Sequence, residues 1–180
     1  LPEMIAASSS RAPYGTMADP DYPLRPVQDG VAVISNTRGV YKMTEFNDYG
    51  LIMNKQIASR EEIFNGHTAK TVRIEVLAQN VTLFLLTARK FLTRLAFGGP
   101  LYFRFKMNNT RALRALFGKR QATVLEDYLR LDREITLSDL DARLPELLAN
   151  VLQEAAWSLG LRTESNEIKD LIKHTLGEAK

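Results

Sequence analysis

Tyr102, Arg104 and Lys106 stand at alternate positions of the run Leu101-Tyr102-Phe103-Arg104-Phe105-Lys106-Met107. A strand turns alternate side chains to one face. One ring and two cations would then share a side, with Leu101, Phe103, Phe105 and Met107 on the other. Such a face can stack on nucleobases and neutralise phosphates; the same residues also make an ordinary solvated sheet face. Arg111 and Arg114 follow, expected one turn apart on a short helix over 110–117 closed by Gly118. With Lys119 and Arg120 they either extend the cationic surface or pair with Glu126, Asp127, Asp132 and Glu134. Near the start, Ser9, Ser10 and Arg11 of Ser8-Ser9-Ser10-Arg11 could hold a phosphate through hydroxyls, backbone N–H groups and a guanidinium. A serine-rich linker has the same composition.

These candidates lie in a segregated charge pattern. The net charge is +3, but residues 71–120 hold ten Lys and Arg against one acid, Glu75. Residues 1–70 carry seven basic and eight acidic side chains, and residues 121–180 carry seven and twelve. A cationic middle between acidic ends can attract a polyanion or dock its own acidic tail. On the helix expected after residue 77, Lys90 and Arg94 share a flank and Arg89 falls opposite, so those three form no single stripe.

Enzymatic patterns are scarce. His67 and His174 have no His or Cys at metal-ligand spacing. There is no glycine-rich phosphate loop, no nucleophile elbow and no cysteine. Glu45, Asp48, Glu61 and Glu62 are the nearest carboxylate group in sequence, and a polar connector solvates such residues. Trp157 reads as a packing residue. Nothing points to a cofactor, a metal or a small-molecule substrate. The absence of cysteine suits a reducing compartment. The longest apolar-rich stretch, 81–97, contains Arg89, Lys90 and Arg94, which argues against a bilayer span. The chain opens on Leu1 with no basic-then-apolar leader, and is expected to be a fragment of a longer protein.

The elements that must position these residues follow from pattern. Residues 1–29 hold five of the seven prolines and the serine run, which predicts an extended arm. A single domain is expected over 30–180. Three strand candidates, VAVIS, VYKMTEF and LIMNKQI, are separated by Asn/Asp/Gly turns, which predicts an antiparallel meander. Residues 59–70 are polar and predict a connector. Apolar residues recur every three or four positions from Leu77 to Phe97, with Leu83 and Leu86 on the far side. That helix is expected to stop at Gly98-Gly99-Pro100. After the basic strand, Leu129, Leu131 and Ile135 predict another strand. Helices are expected after Ser138-Asp139, with Pro145 in a first turn and Gly160 at an end, and again over 168–176. Strands and helices mix without regular alternation, so the fold class is α+β, an antiparallel sheet packed by three or four helices.

Two stretches resemble a known family. Residues 80–107, a long helix, a glycine-proline stop and a basic strand, and residues 128–161, YLRLDREITLSDL through WSLGL, are similar to the C-terminal region of bacterial proteins. The N-terminal half of those proteins is a Schlafen/AlbA-type DNA-binding domain. The Ser8–Arg11 run is similar to the serine-rich end of that domain, although Ala6 and Ala7 stand where the family is glycine-containing and basic. The resemblance implies an accessory domain of a bacterial, cytoplasmic, transcription regulator-like protein, whose DNA-binding module would precede Leu1. The expectation is therefore a non-enzymatic accessory or regulatory domain that supports nucleic-acid association through Tyr102, Arg104, Lys106, Arg111 and Arg114. The alternative is a self-association or partner-docking module, motivated by Leu83, Leu86 and the proline-rich arm. The expected partners are nucleic acid and a second copy of the chain, and not a membrane.

Overall fold

A computed structural model describes residues 25–37, 40–47, 51–64 and 66–178. The chain divides into two compact units: one is formed within Leu1–Ile57 and Leu83–Phe97, the other by Ala58–Thr82 and Gly98–Gly177. The fold is α+β, with antiparallel-rich sheets and four helices among the described residues. Of the arm expected over residues 1–29, residues 1–24, with Ser9, Ser10 and Arg11, lie outside the described residues, and Arg25–Val27 is a strand of a sheet.

In the first unit, β1 (Arg25–Val27), β2 (Gly30–Thr37), β3 (Val40–Asn47) and β4 (Ile52–Gln56) form an antiparallel meander in chain order. The three predicted strands are thus all present, and Arg25–Val27 adds an edge strand paired to Gly30–Ala32. One face of the meander is apolar. Val33 and Phe46 are buried there with Phe91, and the two phenylalanine rings are tilted with centroids 5.0 Å apart. Thr44 is also buried, and its hydroxyl accepts from Asn54 Nδ2 on the neighbouring strand, so the buried oxygen is satisfied.

Phe91 belongs to α1 (Ile74–Arg94), the predicted long helix. It ends earlier than the Gly98-Gly99-Pro100 signal implied. The Phe97 N–H bonds the Leu92 carbonyl and the Ala96 N–H bonds that of Thr93, with Ala96 at φ 50°. This is the paired-bond helix end that usually places glycine in the left-handed position; here alanine takes it. Leu83 is buried and Leu86 half-buried, so the far side of α1 is covered.

The second unit contains a four-stranded sheet in the order β5 (Arg60–Phe64), β6 (His67–Arg73), β8 (Arg114–Phe117), β9 (Arg120–Thr123). The β6–β8 pairing is parallel and the others antiparallel. Two expectations are corrected here. Residues 59–70 are not a connector but supply most of a hairpin, in which Phe64 pairs with His67 and Gly66 has φ 80°. Asn65-Gly66 stands between the two strands in the sequence. That dipeptide is a strong hairpin signal, and the charged residues around it hid the strand pattern. Residues 110–117 are not a helix: Asn109 and Ala112 have positive φ, and 114–117 is a strand. Ala115, Leu116 and Phe117 are all buried in a strand paired on both sides. A short apolar run of this kind carries no periodicity that separates helix from strand.

β7 (Leu101–Asn108) and β10 (Tyr128–Ile135) pair antiparallel along their whole length into a two-stranded ribbon. Its inner face carries Phe103, Met107, Leu129, Leu131 and Ile135, all buried. α2 (Leu137–Ala142) begins at Thr136, whose hydroxyl accepts from the Asp139 N–H while the Asp139 carboxylate accepts from the Thr136 N–H. The Thr136 hydroxyl, which also donates to Asp139 Oδ2 at 2.8 Å, and then the Thr136 N–H hold the Asp139 carboxyl below its ordinary range. α3 (Leu144–Ser158) has Pro145 in its first turn, as expected, and packs along β10 through a face that buries Leu148, Leu152 and Ala155. α4 (Ser165–Glu178) closes the unit.

Candidate nucleic-acid interface

The pleat of the ribbon decides the site. Residues directly opposed across an antiparallel pair project to the same side. The register sets Tyr102 opposite Glu134, Arg104 opposite Asp132, Lys106 opposite Arg130 and Asn108 opposite Tyr128. All eight are exposed, so they form one water-facing surface. The three predicted strand residues are therefore brought together. Tyr128 and Arg130 join them. The alternation of Leu129 with Leu131 could have placed these two on the outer face, but only the register shows which residues they face.

Tyr102 is 79% exposed and Tyr128 61%. The two rings stand at opposite ends of the ribbon, about 20 Å apart at ~3.3 Å per residue. Between them Asp132 lies under two guanidiniums. Arg104 Nε donates to Oδ1 at 2.6 Å and Arg130 Nε to Oδ2 at 2.5 Å. The Arg104 bond, helped by Arg130, holds the Asp132 carboxyl below its ordinary range. Lys106 is exposed and makes no ion pair among the described residues, and it faces Arg130 directly. Like charges directly opposed disfavour the pairing that creates them. The outer face carries three cations against two carboxylates, with both exposed rings flanking the charged centre.

The other predicted residues are dispersed. Arg111 is exposed in the turn after β7, next to Thr110, whose N–H and hydroxyl bond the Asp127 and Glu126 carbonyls. Arg114 is on β8 and not on a helix with Arg111. It is half-buried, with its guanidinium 5.2 Å from the Phe64 ring centre and 3.5 Å from Gln121 Oε1. That contact removes it from the proposed surface. Arg120 is also engaged: it lies over the Phe117 ring, donates to the Arg162 carbonyl at 2.8 Å and pairs with Glu167, whose carboxyl falls below its ordinary range chiefly through that bond. Neither pairs with the 126–134 acids. Arg89, Lys90 and Arg94 belong to the first unit.

Of the carboxylates, Glu62 is held by both Nε and Nη2 of Arg73, at 2.8 and 2.7 Å, and this lowers its pKa. Asp48 lies outside the described residues. No cluster of His, Asp and Glu suited to a metal occurs among the described residues, and no described helix is long and apolar enough to cross a membrane. Trp157 does not pack in the core; it is 69% exposed on α3. Comparison with family models, with curated proteins and with solved structures finds no match for this chain.

Proposed function

We propose that this chain is a non-enzymatic accessory domain that associates with single-stranded nucleic acid through the outer face of the β7–β10 ribbon. The observation that carries the reading is the exposed face itself: Lys106 opposed to Arg130, Arg104 beside them, and Tyr102 and Tyr128 free to stack at either end. An arrangement that costs the ribbon stability and leaves two large rings in water is explained by a ligand that covers it. Aromatic rings accept any base face, so the binding is sequence-tolerant. Arg111 adds a further exposed cation. The resemblance of residues 80–107 and 128–161 to the accessory region of bacterial Schlafen/AlbA-type proteins agrees with this role.

The test is binding of a labelled oligothymidylate from low to physiological salt. Lys106 alone gives a slope of roughly −0.7 for log affinity against log salt, rising to about −2 where phosphate displaces Asp132 from Arg104 and Arg130. A flat slope, or unchanged affinity in Lys106→Glu, overturns the reading. A partner-docking role is favoured by one observation, the neutralisation of Arg104 and Arg130 by Asp132. Light scattering decides on self-association: a dimer that dissociates in Tyr102→Ser supports it, and a monomer at all concentrations removes it.

A further inference from the structure

Trp157 is the only tryptophan of the chain, and it is 69% exposed while Ala155, Ala156 and Leu159 around it are buried. A core helix that turns its largest apolar ring to water presents a feature its packing does not require. The ring borders a surface hollow of about 470 Å³ lined by Arg133, Asn150, Gln153, Glu154 and itself. The hollow is open to solvent on its outer side, so a ligand there rests on the indole and is not enclosed. Steps of three and four along α3 put Asn150, Gln153, Glu154 and Trp157 on one stripe. Arg133 reaches the stripe from the inner side of β10, opposite to the tyrosine face.

The polar groups are arranged, not merely present. Arg133 donates to Glu154 through Nη2 and to the Asp132 carbonyl through Nη1 at 2.7 Å. Gln153 Nε2 donates to the Thr163 carbonyl at 2.9 Å, which orients the amide and leaves its oxygen as an acceptor. Asn150 makes no hydrogen bond among the described residues through its side chain and offers both a donor and an acceptor. The cation and the carboxylate cancel, so the hollow has no net charge to hold a phosphate or a metal ion.

A flat apolar ring beside planar groups that both donate and accept matches a ligand with a C–H face and a rim of hydroxyls. We infer that the Trp157 hollow is a subsite for a neutral saccharide ring, which packs on the indole and exchanges hydrogen bonds with Asn150, Gln153 and the Arg133–Glu154 pair. A nucleobase is also flat, but a strand brings phosphates, and the only cation lining the hollow is already paired. This inference does not depend on the ribbon's role.

The lone indole makes the test direct, because all tryptophan emission comes from this hollow. The chain is titrated with glucose, galactose, N-acetylglucosamine and their linear trisaccharides, with uridine and adenosine in parallel. A saturable emission change with one saccharide, at a roughly millimolar midpoint, is expected. Asn150→Ala and Glu154→Gln should each weaken it roughly 3- to 10-fold, and Trp157→Ala should abolish the calorimetric signal while melting as the parent does. Absence of a saturable change with every saccharide overturns the inference. Saturation by nucleosides alone, or emission that follows protein concentration because a second copy covers the ring, overturns it as well.

Discussion

Arg104 on the β7–β10 ribbon and Arg114 and Arg120 on the β8–β9 hairpin come from the same basic stretch, yet the two regions treat them differently. On the hairpin each guanidinium is used at home: Arg114 covers Phe64, and Arg120 covers Phe117 and bonds Glu167 and the Arg162 carbonyl. On the ribbon one carboxylate, Asp132, serves two arginines, and Lys106 is left facing Arg130 with no acid of its own. What separates a structural cation from an available one is the neighbour that the fold supplies, and a neighbour brought from 47 positions away, as Glu167 is to Arg120, cannot be read from a charge run.

The largest expected effect separates the two faces of the ribbon. Phe103→Ala, on the inner face, should cost about 3–5 kcal/mol of stability in urea unfolding, whereas Tyr102→Ala should stay within about 0.5 kcal/mol. Equal losses would mean that the outer ring is structural. Next in size is charge reversal. Lys106→Glu should lower oligothymidylate affinity by about tenfold or more, and Arg114→Glu should leave affinity unchanged while lowering the melting temperature. The reverse outcome would transfer the site to the hairpin.

Asp132 gives a smaller and more selective handle. Its carboxyl titrates below the ordinary range because Arg104 and Arg130 bond its ionised form. The stability it contributes is therefore present above about pH 4, the unfolded value, and is lost as pH falls through the folded value. Protonation releases both arginines. Affinity for oligothymidylate, whose bases do not gain protons in this range, should then rise as stability falls. Asp132→Asn should bind roughly fivefold tighter at neutral pH and show no acid enhancement. A variant that binds as the parent does would mean that the two arginines do not meet the strand. The smallest effect concerns the hairpin turn: Gly118 has φ 56° with nothing within 4 Å of an added Cβ, so Gly118→Ala should cost roughly 1 kcal/mol in strain alone, without altering binding.

Strict alternation made β7 legible from residue types alone, and with it the shared side of Tyr102, Arg104 and Lys106. The meander and α1 were legible for the same reason: their periods are long enough to count. Four features were not. The strand 114–117 is apolar throughout and only four residues long, so its helix-like composition had no period to correct it. The 60–73 hairpin hid its alternation under charge, although Asn65-Gly66 marked the turn. The residue type of Trp157 points to the core, and only the placement of α3 against β10 turns it to water. The cross-strand pairing of Lys106 with Arg130 depended on register, which residue types on two strands 20 or more positions apart do not specify.

Whether the outer ribbon face meets the strand is read from amide chemical-shift mapping of isotope-labelled protein with oligothymidylate. The largest shifts are expected on Tyr102, Arg104, Lys106, Tyr128 and Arg130, with β8 and β9 unmoved. Shifts centred on Arg114 and Arg120, or no saturable shifts at low salt, would contradict it.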